Sequence, residues 1–72
     1  MIVTVRVKTS GKKPLQGTLE LKGPFRTGDI VTLLTGYVGK VLMALSRDYI
    51  EVEVQPSVYE HFRDQEHWTD AY

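Results

Sequence analysis

Apolar and polar residues alternate one by one near the start of the chain, and that pattern limits what it can fold into. Val3, Val5 and Val7 interleave with Thr4, Arg6 and Lys8, the period of two that turns one face of a β-strand to a core and the other to water. Leu15, Gly17, Leu19 and Leu21 alternate with Gln16, Thr18, Glu20 and Lys22 in the same way. Residues 9–14 (Thr-Ser-Gly-Lys-Lys-Pro) break the pattern between them. Gly11 can take positive φ there, and Pro14 suits the first position of a strand. The two runs read as an antiparallel hairpin with a basic loop, and Gly17 on the inward face reads as a bend or bulge.

Further strands follow at short intervals. Gly23-Pro24 and Thr27-Gly28-Asp29 bracket a turn around Phe25 and Arg26. The pattern predicts a third strand over residues 30–34, a turn over 35–39, a fourth strand over 40–45 and a fifth over 49–55. Five short strands punctuated this closely predict an all-β barrel or sandwich, and a barrel closes more of its own edges. The inward set is Val3, Val5, Val7, Leu19, Leu21, Val31, Leu33, Val41, Met43, Ile50, Val52 and Val54. Strands three and four are apolar on both faces, through Ile30, Val31, Leu33 and Leu34 and then Val41, Leu42, Met43, Ala44 and Leu45. A small barrel has room inside for one face of each strand. The other face must meet the C-terminal segment, a second copy or a different protein.

The last part of the chain has a different character. Pro56 ends the fifth strand, and Ser57-Val58-Tyr59-Glu60 has the form of a capping box. It predicts a short helix to about residue 66, with Val58, Phe62 and Gln65 on one side. A helix this short is marginal alone, so it should dock on the barrel or on a partner. Residues 67–72 are expected to fray. The division is thus a barrel over 1–55 and an acidic helix or tail over 56–72.

Composition removes several classes. Cysteine is absent, which excludes disulfides and thiolate zinc sites. No run approaches the eighteen apolar residues of a membrane span, and the alternating start is not a signal peptide. The location expected by default is cytoplasmic. Net charge is zero, but residues 1–55 hold eight Lys/Arg against five Asp/Glu, while the tail sets Arg63 against Glu60, Asp64, Glu66 and Asp70. So mild a basic surplus argues against a dedicated nucleic-acid binder.

The candidate chemical motifs are better explained as structure. Gly36-Tyr37-Val38-Gly39-Lys40 lacks the spacing, the following Ser/Thr and the helix of a P-loop, and lacks the helical flanks of a KH loop; it reads as a glycine turn. His61 and His67 lie about 120° apart on a helix, so no metal site is assigned. Glu51 and Glu53 point outward from one strand about 7 Å apart, an ordinary solubility feature. No nucleophile, base and orienting group occur together. The expectation is no enzyme and no cofactor, and an enzyme or accessory subunit completed only within a complex is the third reading.

One stretch resembles a known group. Gly28-Asp29-Ile30-Val31, Gly36-Tyr37-Val38-Gly39-Lys40-Val41 and Tyr49-Ile50-Glu51-Val52-Glu53-Val54 resemble the core of KOW-type and YajC-like SH3-like small barrels. The chain lacks the additional glycines and basic residues of the KOW turn and the preceding membrane helix of YajC proteins. The resemblance implies a barrel topology and no functional residue. The fold expected is a five-stranded SH3-like small barrel with a short C-terminal helix or tail.

These readings lead to a non-catalytic protein-binding or assembly module, self-associating or serving as a subunit of a complex through an apolar strand face. Its candidate contacts are Ile30, Leu34 and Leu42 on the barrel and Tyr59, Phe62 and Trp68 in the tail, with Tyr72 beside them. Aromatic residues among acidic ones suit a partner groove. A tail that covers the barrel's own open end is an equal reading of the same residues. The alternative function is an RNA- or DNA-binding barrel using Arg6, Lys8, Lys12, Lys13, Phe25, Arg26 and Tyr37 as a basic, stacking surface. Edge-strand lysines and arginines also serve simply to block unwanted pairing.

Overall fold

The structure, a computed structural model, describes residues 1–71 of the 72. The chain forms β1 (Ile2–Lys8), β2 (Leu15–Glu20), β3 (Ile30–Leu34), β4 (Tyr37–Ser46), β5 (Tyr49–Glu53), α1 (Pro56–Arg63) and β6 (Thr69–Asp70). All six strands lie in one curled, half-barrel sheet in the order β3-β4-β5-β1-β2-β6. The sheet is mostly antiparallel, but β5 joins β1 in parallel, with Val5 beside Ile50 and Val7 beside Val52. That pairing puts β1 in the centre of the sheet, where Val3, Val5 and Val7 are wholly buried.

The hairpin of β1 and β2 has the register its alternation demands, Val3 opposite Leu19 and Val7 opposite Leu15. Val41, Ile50 and Val52 continue the inner face, and Leu33 and Val54 join the same core. Leu15 is core as well, although the inward set did not include it. Leu19 and Leu21 are only partly buried. The two residues of β6 pair with Leu15 and Gln16 alone, so the far end of β2 has no paired strand on that side among the described residues. Val31 is half-buried for a similar reason, since β3 is the edge of the sheet.

Met43 departs from the inward set outright, at 49 % exposure. Between Val41, opposite Val52, and Met43, opposite Glu51, β4 spends two residues where β5 spends one. The extra residue at Leu42 is a bulge, and a bulge exchanges the two faces of all that follows. A second irregularity at Leu45 lies before Ser46. The turn between β3 and β4 is shorter than expected, Thr35 and Gly36 only, with Gly36 at φ 83°. Gly39 is a strand residue: a Cβ there would meet Val54 at 3.1 Å, Leu33 at 3.2 Å and Val52 at 3.3 Å.

The tail closes the inner face of the sheet. Pro56 occupies the first turn of α1 and Gln55 is the N-cap, with no side-chain hydrogen bond. The capping box at Ser57 is therefore not used, because the fixed φ of proline starts the helix two residues earlier. Glu60 instead faces Arg63 at 3.8 Å. The helix ends at Arg63, short of residue 66. Val58, Tyr59 and Phe62 are buried in the same core as the strands. Turns follow, with the Gln65 N–H donating to Phe62 O and the Trp68 N–H to Gln65 O. They carry Trp68 back over the sheet, 5 % exposed. Residues 67–71 are thus not frayed: Thr69 pairs with Gln16, Asp70 with Leu15, and the Ala71 N–H donates to Pro14 O at 2.8 Å.

Gly17 explains how that return is possible. It stands opposite Val5 on the inner face, and a Cβ on it would lie 2.6–2.8 Å from the indole of Trp68. The glycine is neither a bend nor a bulge but a flat place on which an aromatic ring rests. Phe62 packs on the same ring, 4.7 Å between centroids. Gly17→Ala should lower the unfolding free energy by about 2 kcal/mol, the ordinary cost of overpacking, and Trp68→Ala by about 3–5 kcal/mol. In the double variant the Gly17 penalty should vanish, since its only cause is the ring. Chemical denaturation of the four proteins measures this coupling.

Candidate functional site

The sheet turns one face to α1 and the other to solvent. On the outer face Ile30 stands opposite Lys40 and Thr32 opposite Val38. Ile30 is 66 % and Val38 51 % exposed, so two β-branched apolar side chains on adjacent strands are open to water. They border a shallow cleft of about 370 Å³ whose other walls include Lys40, Glu53 and Pro56. Met43 lies further along the same face, opposite Glu51. Beside this patch runs the outer edge of β3, which pairs with β4 on one side and with no other strand among the described residues.

Across β5 and β1 the outer face changes chemistry. Arg6 and Lys8 point the same way as Glu51 and share its Oε1, at 3.7 Å and 3.4 Å. The Tyr49 hydroxyl donates to Gln16 Oε1 at 3.1 Å. This half is a charge-paired, hydrogen-bonded surface, and the apolar half lies at β3 and β4.

The sequence candidates are distributed unevenly over this arrangement. Ile30 is on the open apolar patch, while Leu34 and Leu42 are half-buried. Tyr59, Phe62 and Trp68 are core residues and offer no face to a partner groove; Tyr72 lies outside the described residues. The tail covers its own sheet because its four apolar anchors, Val58, Tyr59, Phe62 and Trp68, fit the one inner face that five strands leave uncovered. Val38 is the residue that sequence reasoning missed. Its place between Gly36 and Gly39 put it in the expected turn, whereas the turn is already complete at Gly36.

The basic candidates do not form one surface. Arg6 and Lys8 lie on β1 with Glu51 between them, and Lys12 and Lys13 are exposed on the hairpin loop after β1. Phe25 shares a cleft with Met1, at the start of β1, so it sits about 20 Å away along that strand. Exposed Arg26 is its neighbour, its backbone N–H donating to Asp29 Oδ2 at 2.9 Å. Tyr37 is stacked on His61, 4.3 Å between ring centroids, so one of its faces is already occupied. His61 also contacts Gln65 at 3.2 Å, and the His67 ring lies 5.7 Å from that of Trp68. Among the described residues no three His, Cys, Asp or Glu side chains are grouped to hold a metal ion, and no helix is long and apolar enough to cross a membrane.

The chain matches no protein-family model, no curated protein and no solved structure.

One polar contact ties the tail to the hairpin. The buried Tyr59 hydroxyl donates to Lys13 O at 2.6 Å. Burial raises its pKa above the ordinary 10.0; Asp70 and Glu60 push the same way, and Arg63 opposes. The neutral phenol is therefore favoured by the fold, and an unfolded tyrosine ionises near pH 10. The stability this provides is fully present below about pH 10 and is lost as pH rises through the higher folded value. Tyr59→Phe should cost about 1 kcal/mol at neutral pH and should flatten the alkaline fall in stability. Urea melts of both proteins from pH 7 to 11 test this pair of effects.

Proposed function

We propose that the chain is a non-catalytic assembly module that associates with a second copy of itself along the free edge of β3. The observation that carries this reading is the edge strand. Strand edges are usually kept apart by lysine, proline, inward charge, bulges or a covering segment. This strand is Ile-Val-Thr-Leu-Leu, with no charge and no proline, and its one irregularity is a bulge at Leu33. It is also self-complementary. Antiparallel pairing about Thr32 sets Thr32 against Thr32 and Val31 against Leu33 of the second copy, while the bulge turns Leu34 to the core beside Tyr37 and leaves Ile30 on the outer face. Polar meets polar and apolar meets apolar, and the exposed Ile30 and Val38 are drawn to the seam. Strand addition of this kind derives affinity from main-chain hydrogen bonds and specificity from alternate side chains.

Within this reading, the likeness to KOW-type and YajC-like small barrels belongs to β3, β4 and β5, through which its three matching segments run. A nucleic-acid reading is weakened because Arg6 and Lys8 already share Glu51 and Tyr37 is stacked on His61.

The association should appear as a concentration-dependent dimer in sedimentation velocity. Thr32→Lys places two like charges directly opposite each other, and should weaken the dimer at least about tenfold without changing the fold. Thr32→Glu should do the same alone. Mixing the two variants should restore a dimer, since the pair then carries opposite charges. A chain that stays monomeric at millimolar concentration, or a mixture that fails to recover, removes this proposal.

A further inference from the structure

The structure contains a second, unrelated cleft at the far end of β4. β4 runs for ten residues and β3 for five. The backbone at Gly28 and Asp29 extends the pairing only as far as Val41, through Gly28 N–H to Val41 O at 2.7 Å and Val41 N–H to Asp29 O at 2.8 Å. Beyond Val41 no strand among the described residues covers that side of β4. The connector that follows β2 lies there instead, and between the two is a cleft of about 520 Å³, lined by Met1, Lys22, Pro24, Phe25, Ala44 and Arg47 among others.

Its chemistry is specific. Met1 and Phe25 crowd over Gly23, where a Cβ would meet them at 3.4 Å and 3.3 Å. With Pro24 and Ala44 they make an apolar wall, yet Met1 is still 52 % exposed. Among the described residues of the lining, Lys22 and Arg47 carry the charged side chains. Neither makes an ion pair among the described residues, and the acids beside them in sequence are taken up by two other lining residues, Met1 and Ser46. Glu20 takes the Met1 ammonium group at 3.0 Å, and Asp48 accepts from the Ser46 hydroxyl at 2.9 Å. The volume falls in the range of small-molecule sites, which pair an apolar lining with a few placed polar groups. A guanidinium is also well suited to a planar carboxylate.

We infer that this cleft binds a small amphiphilic carboxylate, its apolar body against Met1, Pro24 and Phe25 and its head between Lys22 and Arg47. The inference is independent of self-association, which uses the other end of β4. It is tested by titrating the isotopically labelled protein with decanoate below its micelle concentration, with decanol as the neutral control. Decanoate should give saturable amide shifts centred on Gly23, Phe25, Ala44 and Arg47, and decanol should bind more weakly. The double variant Lys22→Glu, Arg47→Glu should keep the parent thermal midpoint and lose affinity about tenfold, as expected for two exposed ionic contacts. Three results would overturn the assignment: no saturation, shifts centred on Ile30 and Val38, or equal binding of decanol and decanoate that the charge reversal leaves unchanged.

Discussion

The indole of Trp68 resting on the bare backbone of Gly17 is the contact on which the rest of the architecture depends. A sheet of this size has one inner face, and five strands of it leave that face open. Burial of Val58, Tyr59, Phe62 and Trp68 turns an exposed apolar surface into a core. Each large side chain so buried contributes about 1.5–3 kcal/mol, which is considerable against the small net stability of a short domain. The ring reaches its place because Gly17 has no side chain. Once it is there, Thr69 and Asp70 can pair with β2 and Tyr59 can reach the hairpin loop. The tail is therefore a structural part of the domain and not an arm extended to a partner.

A second constraint is the unequal length of neighbouring strands. β4 is twice as long as β3 and is interrupted by bulges at Leu42 and Leu45. The bulges bend the strand and reassign its faces, sending Met43 outward. The same mismatch leaves a gap beside residues 42–46, which the connector after β2 only partly fills. Both surfaces proposed here to bind something thus arise around β4: the free edge beside its first half, and the cleft beside its second. The outer face of β1 and β5, with its shared Glu51 and its Tyr49–Gln16 hydrogen bond, is already satisfied.

Much of this was legible in the residues, for reasons that differ by element. The valines of β1 and β5 alternate without interruption, and period two in a regular strand leaves no choice of inner face. The β1–β2 register follows from that alternation. Ile30–Leu34 was equally clear as a strand, and the surplus of apolar residues on β3 and β4 pointed to an unusual surface there. The outward position of Met43 was not legible, because a bulge is set by how β4 fits β5 and leaves no local mark. Nor was Val38, since two nearby glycines look alike in sequence although one makes the turn at φ 83° and the other packs against Val52 and Val54.

What the sequence determined by itself was the β-rich class of the fold and the approximate places of its first five strands, with the inward valines of β1, since alternation is a local property of the chain. It also located an apolar surplus on β3 and β4, where Ile30, Met43 and Leu45 stand exposed. Only the tertiary structure decided which surplus was covered and by what. The parallel pairing of β5 with β1, the bulges that turn β4, and the return of Trp68 to Gly17, fifty-one positions earlier in the chain, all depend on contacts between residues distant in sequence. Such contacts are fixed by shape and burial once the sheet exists, and no short stretch of residues contains them.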